Sequence, residues 1–372
     1  MGHRHPLQQD RLGRRACLGV LLLVGGLVAC TDPRAESVVG LGVNLAGAEF
    51  GMEAPGYSNL HPGEHGQAYL FPSGDTMRWY TQQGLRILRL PLSWERLQPQ
   101  PGGPLEPAYS ERVMEQLDLA QVQGARLVLD LHAYGRYRLE AQGGVHELIV
   151  GAAMDAERGL QDEHLADLWL RLARRVHDHP ALLAYGLMNE PHDMGDADWH
   201  RTSAEVVRAL REAGDRNWIW VAGDGWSKAG EWTRHNPPRP WVDDPLDRTA
   251  YEAHLYFDAD ASGRYAVSFA EELAADPSAG ARGRARLTPF LEWCEAGGVR
   301  GVIGEFGVPW YDAGWLPVLE EFLDEVRAAR VTAVAWAGGD WWGDYALSLQ
   351  PRGGEPVAPL QRMLQRDERP TP

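Results

Sequence analysis

The chain has 372 residues, with 36 lysines and arginines against 52 aspartates and glutamates, and three cysteines. That acidity argues against nucleic acid or an anionic membrane surface as partner and fits a neutral substrate. So few cysteines leave no disulfide framework and no cysteine-built metal site, and the absence of any Pro/Ser/Thr linker points to one large α/β unit with no appended module.

In chain order, Arg4, Arg11, Arg14 and Arg15 precede an apolar run from Ala16 to Val28, and the run closes in Leu27-Val28-Ala29-Cys30. A basic flank, an apolar core short of the roughly 18 residues that span a bilayer, and a small residue before the cut make residues 1–29 a secretory leader. Cys30 directly after that box resembles the bacterial lipoprotein signal. The resemblance implies lipidation of Cys30, a short tether over residues 30–38 and membrane attachment through the lipid alone. Thr31 in place of aspartate implies an outer-membrane or cell-surface destination, with a secreted or periplasmic protein as the alternative. Cys17 leaves with the leader, so Cys294 stands alone in the mature chain. Lys228 is the single lysine beside many arginines, which we read as codon bias.

From residue 39 onward, strand and helix patterns alternate. Val38 to Leu45 reads as a strand and Gly74 to Gln83 as a helix. Leu85 to Leu90 is a second strand, which Pro91 stops with Arg89 near its end. Tyr109 to Gln123 has helical spacing closed by Gly124, and Arg126 to Leu131 is a strand ending at His132. Leu165 to His177 (helix), Leu182 to Met188 (strand), Ala204 to Glu212 (helix) and Trp218 to Ala222 (strand) continue the alternation. A Trp- and Pro-rich excursion from Trp226 to Pro245 leads to a strand at Tyr251 to Leu255 and a helix through Leu287 to Cys294. Val299 to Glu305 (strand), Trp315 to Ala329 (helix), Val331 to Trp336 (strand) and Val357 to Arg366 (helix) complete the chain. Eight strands, most followed by a helix, predict a parallel (β/α)8 TIM barrel as a single domain over residues 39–372.

Barrel active sites lie at the carboxyl ends of the strands. The side chains gathered there are Arg89, His132, Asn189, Glu190, His254, Tyr256, Glu305 and Trp336. Two of the apolar runs, Tyr185-Gly186-Leu187-Met188-Asn189-Glu190-Pro191 and Val302-Ile303-Gly304-Glu305-Phe306-Gly307, each deliver a glutamate, on the fourth and seventh strands. Paired strand-end carboxylates suggest acid/base and nucleophilic work on sugars. No HExxH motif or tight His/Asp cluster accompanies His132 and His254, so they read as hydrogen-bonding groups, and no metal or cofactor is expected. Of fifteen tryptophans most belong to the core, Trp79, Trp169, Trp218 and Trp293 among them. Trp336 is placed to floor the subsite beside the cleavage point. Trp94, Trp226, Trp310, Trp341 and Trp342, with Tyr134 and Tyr137, lie on loops of the same face as candidates to stack on sugar rings.

These eight strand-end residues, with the motifs Asn189-Glu190-Pro191 and Ile303-Gly304-Glu305-Phe306-Gly307, resemble glycoside hydrolase family 5 over nearly the whole mature chain. Further segments are similar to its endoglucanase subfamily: Gly42-Val43-Asn44-Leu45, Leu88-Arg89-Leu90-Pro91 with Trp94, Asp130-Leu131-His132 with Tyr134, and Gly223-Asp224-Gly225-Trp226. The resemblance implies a retaining endo-β-1,4-glucanase acting as a monomer on β-glucan or cello-oligosaccharides. Glu305 would be the ionised nucleophile, oriented by Arg89 and Tyr256. Glu190 would be the acid/base, its pKa raised by the neighbouring charge, and Asn189 would hold the 2-hydroxyl. One departure is the stretch from Gly143 to Gly151, read as an apolar loop walling off one end of the cleft. As a cap it would give an exo-acting β-glucosidase or transglycosylase. Separate alternatives are a mannanase or xylanase on the same barrel, since loop geometry sets substrate choice, and a non-catalytic glycan-binding lipoprotein, against which the intact Glu190 and Glu305 weigh.

Overall fold

The computed structural model describes residues 39–367, and the leader, Cys30 and the tether lie outside them. Eight strands close into a barrel: β1 (Leu41–Leu45), β2 (Ile87–Leu92), β3 (Arg126–Leu131), β6 (Leu182–Gly186), β7 (Trp218–Ala222), β8 (Thr249–Tyr256), β9 (Arg300–Gly307) and β10 (Thr332–Gly338). Every neighbouring pair is parallel, and β1 closes the ring on β10. Such strands are covered on both faces, which is why they read as nearly unbroken apolar runs. Leu88, Leu90, Leu127, Leu129, Ile303 and Ala333 pack outward in the main core with the helices. Residues of the opposite parity, including Ile87, Val128, Trp218, Trp220, Ala250, Val302 and Val334, form a separate apolar cluster. The same parity carries Arg89, Asp130, Glu252 and His254, so the inward face is apolar low in the barrel and charged towards its mouth.

Pro91 does not stop β2. It pairs with Asp130 and the strand runs on to Leu92. Between β7 and β8 the chain forms only a 3-10 turn (Ala229–Glu231) and a single helical turn (Trp232–His235). The predicted apolar loop is a hairpin, β4 (Arg136–Ala141) paired antiparallel to β5 (Gly144–Ile149). Its inner residues Tyr137 and Leu148 are buried. Arg136, Arg138 and Glu147 project on its other face, where both arginines pair with Glu147. The wall it offers is therefore charged, because period-two alternation sends only every second residue to the core.

Two local distortions aim the side chains. In β9 the register slips so that Ala253 faces Ile303 while His254 faces Glu305. This β-bulge turns both Gly304 and Glu305 inward. After β6, Glu190 adopts φ 44°, in the left-handed region, so that Asn189 and Glu190 both reach the mouth although they are consecutive. Tyr134 and Trp226 share that conformation at φ 55° and 63°, a clustering of strained backbone typical of working sites.

Candidate active site

Arg89 is the hub of the charged layer. It is fully buried, and its guanidinium meets Asp130 at 2.9 Å, Glu252 at 3.1 Å and Glu305 at 3.2 Å. It also donates to the amide oxygens of Asn44 and Asn189, each at 2.8 Å. Burial alone would lower its pKa, but Asp130, Glu252, Glu305 and Glu190 push it above the ordinary arginine value. With its oxygen held by Arg89, Asn189 turns its amide nitrogen to His132 Nε2 at 3.3 Å. His132 Nδ1 lies 3.0 Å from Asp130, and the imidazole stacks on Trp336, centroids 5.4 Å apart and 16° between planes.

Above this layer stand the two glutamates. Tyr256 Oη donates to Glu305 at 2.8 Å, and burial followed by the charge of Glu305 keeps that phenol protonated. His254 Nδ1 lies 2.7 Å from Glu190 and 3.6 Å from Glu305. Burial works against a charge on this imidazole, but Glu305, Glu190 and Glu252 outweigh it and push the pKa to about 10. The donor atoms of Glu190, His254 and Glu305 all lie within 4.8 Å of one another. That spacing would suit a metal ion. It equally suits a retaining glycosidase, whose carboxyl groups stand about 5 Å apart, against roughly 6.5 Å or more in inverting enzymes.

Glu305 departs from the expectation that its cationic neighbours keep it acidic. Burial dominates and raises its pKa, with Glu190 adding to the rise, while His254, Arg89 and His132 only partly offset it. The Glu190 side chain is 16% exposed against 6% for Glu305, so Glu190 is the one that meets solvent at the cleft.

Beside Glu190 a cavity of about 1010 Å³ is lined by Tyr134, His192, Trp226 and Lys228, with Arg136, Arg138 and Glu147 of the hairpin. Trp226 is 40% exposed and stacks on His192, leaving its other face for a sugar ring. Tyr134 bonds His132 at 3.1 Å and meets Trp226 edge-on. The lysine read as codon bias thus lies on the wall of the cleft, its ammonium on the Asp260 carbonyl at 3.0 Å.

Trp94 and Tyr137 are corrections. Both are fully buried and pack edge to face, centroids 5.4 Å apart, with Trp94 Nε1 donating to Gln98. They anchor the hairpin from below and cannot touch sugar. Trp310 carries the Arg352 guanidinium on its ring at 3.6 Å. Trp342 is wedged among Phe50, Trp336 and Tyr345, and Trp341 is 41% exposed.

Sequence reasoning singled out neither Glu252 nor Glu49. Glu252 sits two residues before His254 and four before Tyr256, on the same inward face of β8, and that period of two was a signal available in the sequence. Glu49, on the loop after β1, accepts the Gly47 amide at 2.8 Å, and burial, opposed by His132, pushes its carboxyl up to about 7.

The family model for cellulase (glycosyl hydrolase family 5) matches residues 43–344. Endo-β-1,4-glucanase A of Emericella nidulans is 29% identical over 351 residues, covering 93% of this chain and 97% of its own length. The crystal structure of Pseudomonas stutzeri endoglucanase Cel5A in complex with cellobiose superimposes with a TM-score of 0.76 at 34% identity, covering 89% of this chain and 92% of its own. The endo-β-1,4-glucanase Xac0029 of Xanthomonas axonopodis pv. citri gives 0.76 at 29% identity, covering 90% and 100%. With the paired glutamates at the mouth of an eight-stranded barrel and a family match that spans most of its length, the chain belongs to glycosyl hydrolase family 5.

Proposed function

We propose that the protein is a retaining endo-β-1,4-glucanase with Glu305 as nucleophile and Glu190 as acid/base. The observation that carries this reading is the approach of the two carboxylates to within 4.8 Å at the floor of an open cleft. A Glu305 oxygen attacks the anomeric carbon while Glu190 gives its proton to the departing glycosidic oxygen, and the C–O bond breaks. Water then attacks the glycosyl ester and returns a proton to Glu190, and Glu305 is released. Relatives named endoglucanases, and the cellobiose held by one of them, support β-1,4-glucan as substrate. The open cavity beside Glu190 supports internal cleavage: a hairpin of charged residues flanks the chain path there. The test follows viscosity and reducing ends with time on carboxymethylcellulose, mixed-linkage glucan, mannan and xylan. Viscosity of the glucans should collapse early, with mannan and xylan far slower. Release of glucose or cellobiose without that collapse would make the enzyme exo-acting.

We also propose that Cys30 carries a lipid that anchors the enzyme at the outer membrane or cell surface. The basic, apolar and Leu-Val-Ala-Cys elements of the leader support this, and among the described residues no helix is long and apolar enough to cross a membrane. Cys30→Ser should release the protein from the membrane fraction or block its processing. Unchanged processing and fractionation would refute the anchor.

A further inference from the structure

Glu252 lies below both catalytic carboxylates, where no substrate can reach it: it is 0% exposed, at the centre of β8. One carboxylate oxygen, Oε1, is 3.1 Å from Arg89 Nε and 3.5 Å from His254 Nε2. The other, Oε2, is buried without a hydrogen-bond partner. Leaving a buried carboxylate oxygen unpaired is unfavourable, and a side chain chosen for stability alone would pair both. The barrel also makes room for it at the position preceding the nucleophile. A Cβ on Gly304 would fall 1.8 Å from Glu252 Oε1, so Gly304 is a glycine because Glu252 occupies the space that a side chain would fill.

We propose that Glu252 is a positioning residue for the hydrolysis, an anion that holds Arg89 and His254 together from beneath and keeps the imidazole charged between Glu190 and Glu305. The proposal rests on the glucanase reading above. Carboxylates stand against both ring nitrogens of His254, an arrangement that favours the doubly protonated imidazole. Glu252 serves Nε2, which leaves the Nδ1 proton for Glu190 at 2.7 Å and the ring charge for Glu305 at 3.6 Å. The same cation can then serve both halves of the reaction without moving. It faces ionised Glu305 before attack, and ionised Glu190 once Glu305 is esterified, as a preorganised electrostatic support. The charged and titratable groups that face this unit are Glu190 after β6, Glu305 on β9, Arg89 on β2, and Asp130 and His132 at the end of β3. Lys228, on the connection from β7, runs beside His254 along the backbone, and its ammonium is turned to Asp260.

The experiment compares wild type with Glu252→Gln, which keeps the shape and removes the charge. Its readouts are the pH dependence of kcat/KM on an aryl β-cellobioside and the nitrogen-15 NMR titration of the His254 ring. In the wild type both ring nitrogens should stay protonated beyond pH 8, in line with a pKa pushed up to about 10. In Glu252→Gln the ring should titrate at least one unit lower. A ring that titrates about one unit lower is still charged at the acid limb, so that limb stays in place, and kcat/KM of the variant falls on the alkaline side, where its ring has lost the proton and the cationic support of Glu190 and Glu305. KM should change little, since Glu252 touches no sugar. A loss of activity uniform with pH, or a wild-type His254 that titrates near its ordinary value, would overturn the proposal. The wild-type titration decides the matter even if Glu252→Gln does not fold. A wild type inactive on every β-1,4-glucan would refute the glucanase reading, while the NMR titration would still report on Glu252.

Discussion

Glu305→Gly is expected to abolish hydrolysis of β-1,4-glucan, with a loss of roughly 10⁴- to 10⁶-fold as for other excised nucleophiles, while the variant transfers sugar from an α-configured glycosyl fluoride. The vacated volume takes the fluoride on the face from which Glu305 would have attacked. Glu190, untouched, can still act as base on an acceptor hydroxyl, so a new β bond forms that the variant cannot cleave. The barrel should survive the change, since Arg89 keeps Asp130 and Glu252 as partners. In the wild type the acid limb of activity should lie above the ordinary glutamate range. The folded-state pKa of Glu305 is raised by burial, so at a given low pH less of it is ionised and able to attack. Proton NMR of the first product should show the β anomer. An α anomer appearing first would mean an inverting reaction, and Glu305 would lose its assignment.

Glu190→Ala should show a different fingerprint. Removing a general acid costs roughly 10²- to 10⁴-fold, but the cost should depend on what departs. On a natural glucan the leaving alcohol needs a proton and the full loss should appear. On a dinitrophenyl β-cellobioside it hardly needs one, so glycosylation should stay fast, the slow step becomes attack by unassisted water, and added azide should restore turnover. The alkaline limb of kcat/KM should flatten and the acid limb remain, because Glu305 still has Tyr256 and Arg89 on its oxygens. Equal losses on both substrates, with no rescue by azide, would assign Glu190 to positioning rather than proton transfer.

Much of this was legible along the chain because it depends on neighbours in sequence. Apolar runs punctuated by glycine and proline mark the barrel strands, and the periodic stretches between them mark the helices. A carboxylate that terminates such a run must sit at a strand end, so Glu190 and Glu305 could be placed at the barrel mouth without a structure. The hairpin is not legible in Gly143 to Gly151 alone, because its pairing depends on the strand from Arg136 to Ala141. A loop position does not say which way a ring turns, and Trp94 and Tyr137 turn into the core. There they pack edge to face on each other.

The sequence alone determined the order of strands and helices, the barrel and the pair of strand-end glutamates, all properties of local pattern. Which side chains meet was decided by the closed sheet. Strict alternation from Val302 would send Gly304 and Phe306 inward and Glu305 out towards the helices with Ile303. The bulge against β8 is what brings Glu305 to His254, and the space at Gly304 is what admits Glu252 beneath them. Register between strands that lie some fifty residues apart is set by the packing of the whole ring, and that information resides in no single stretch of the chain.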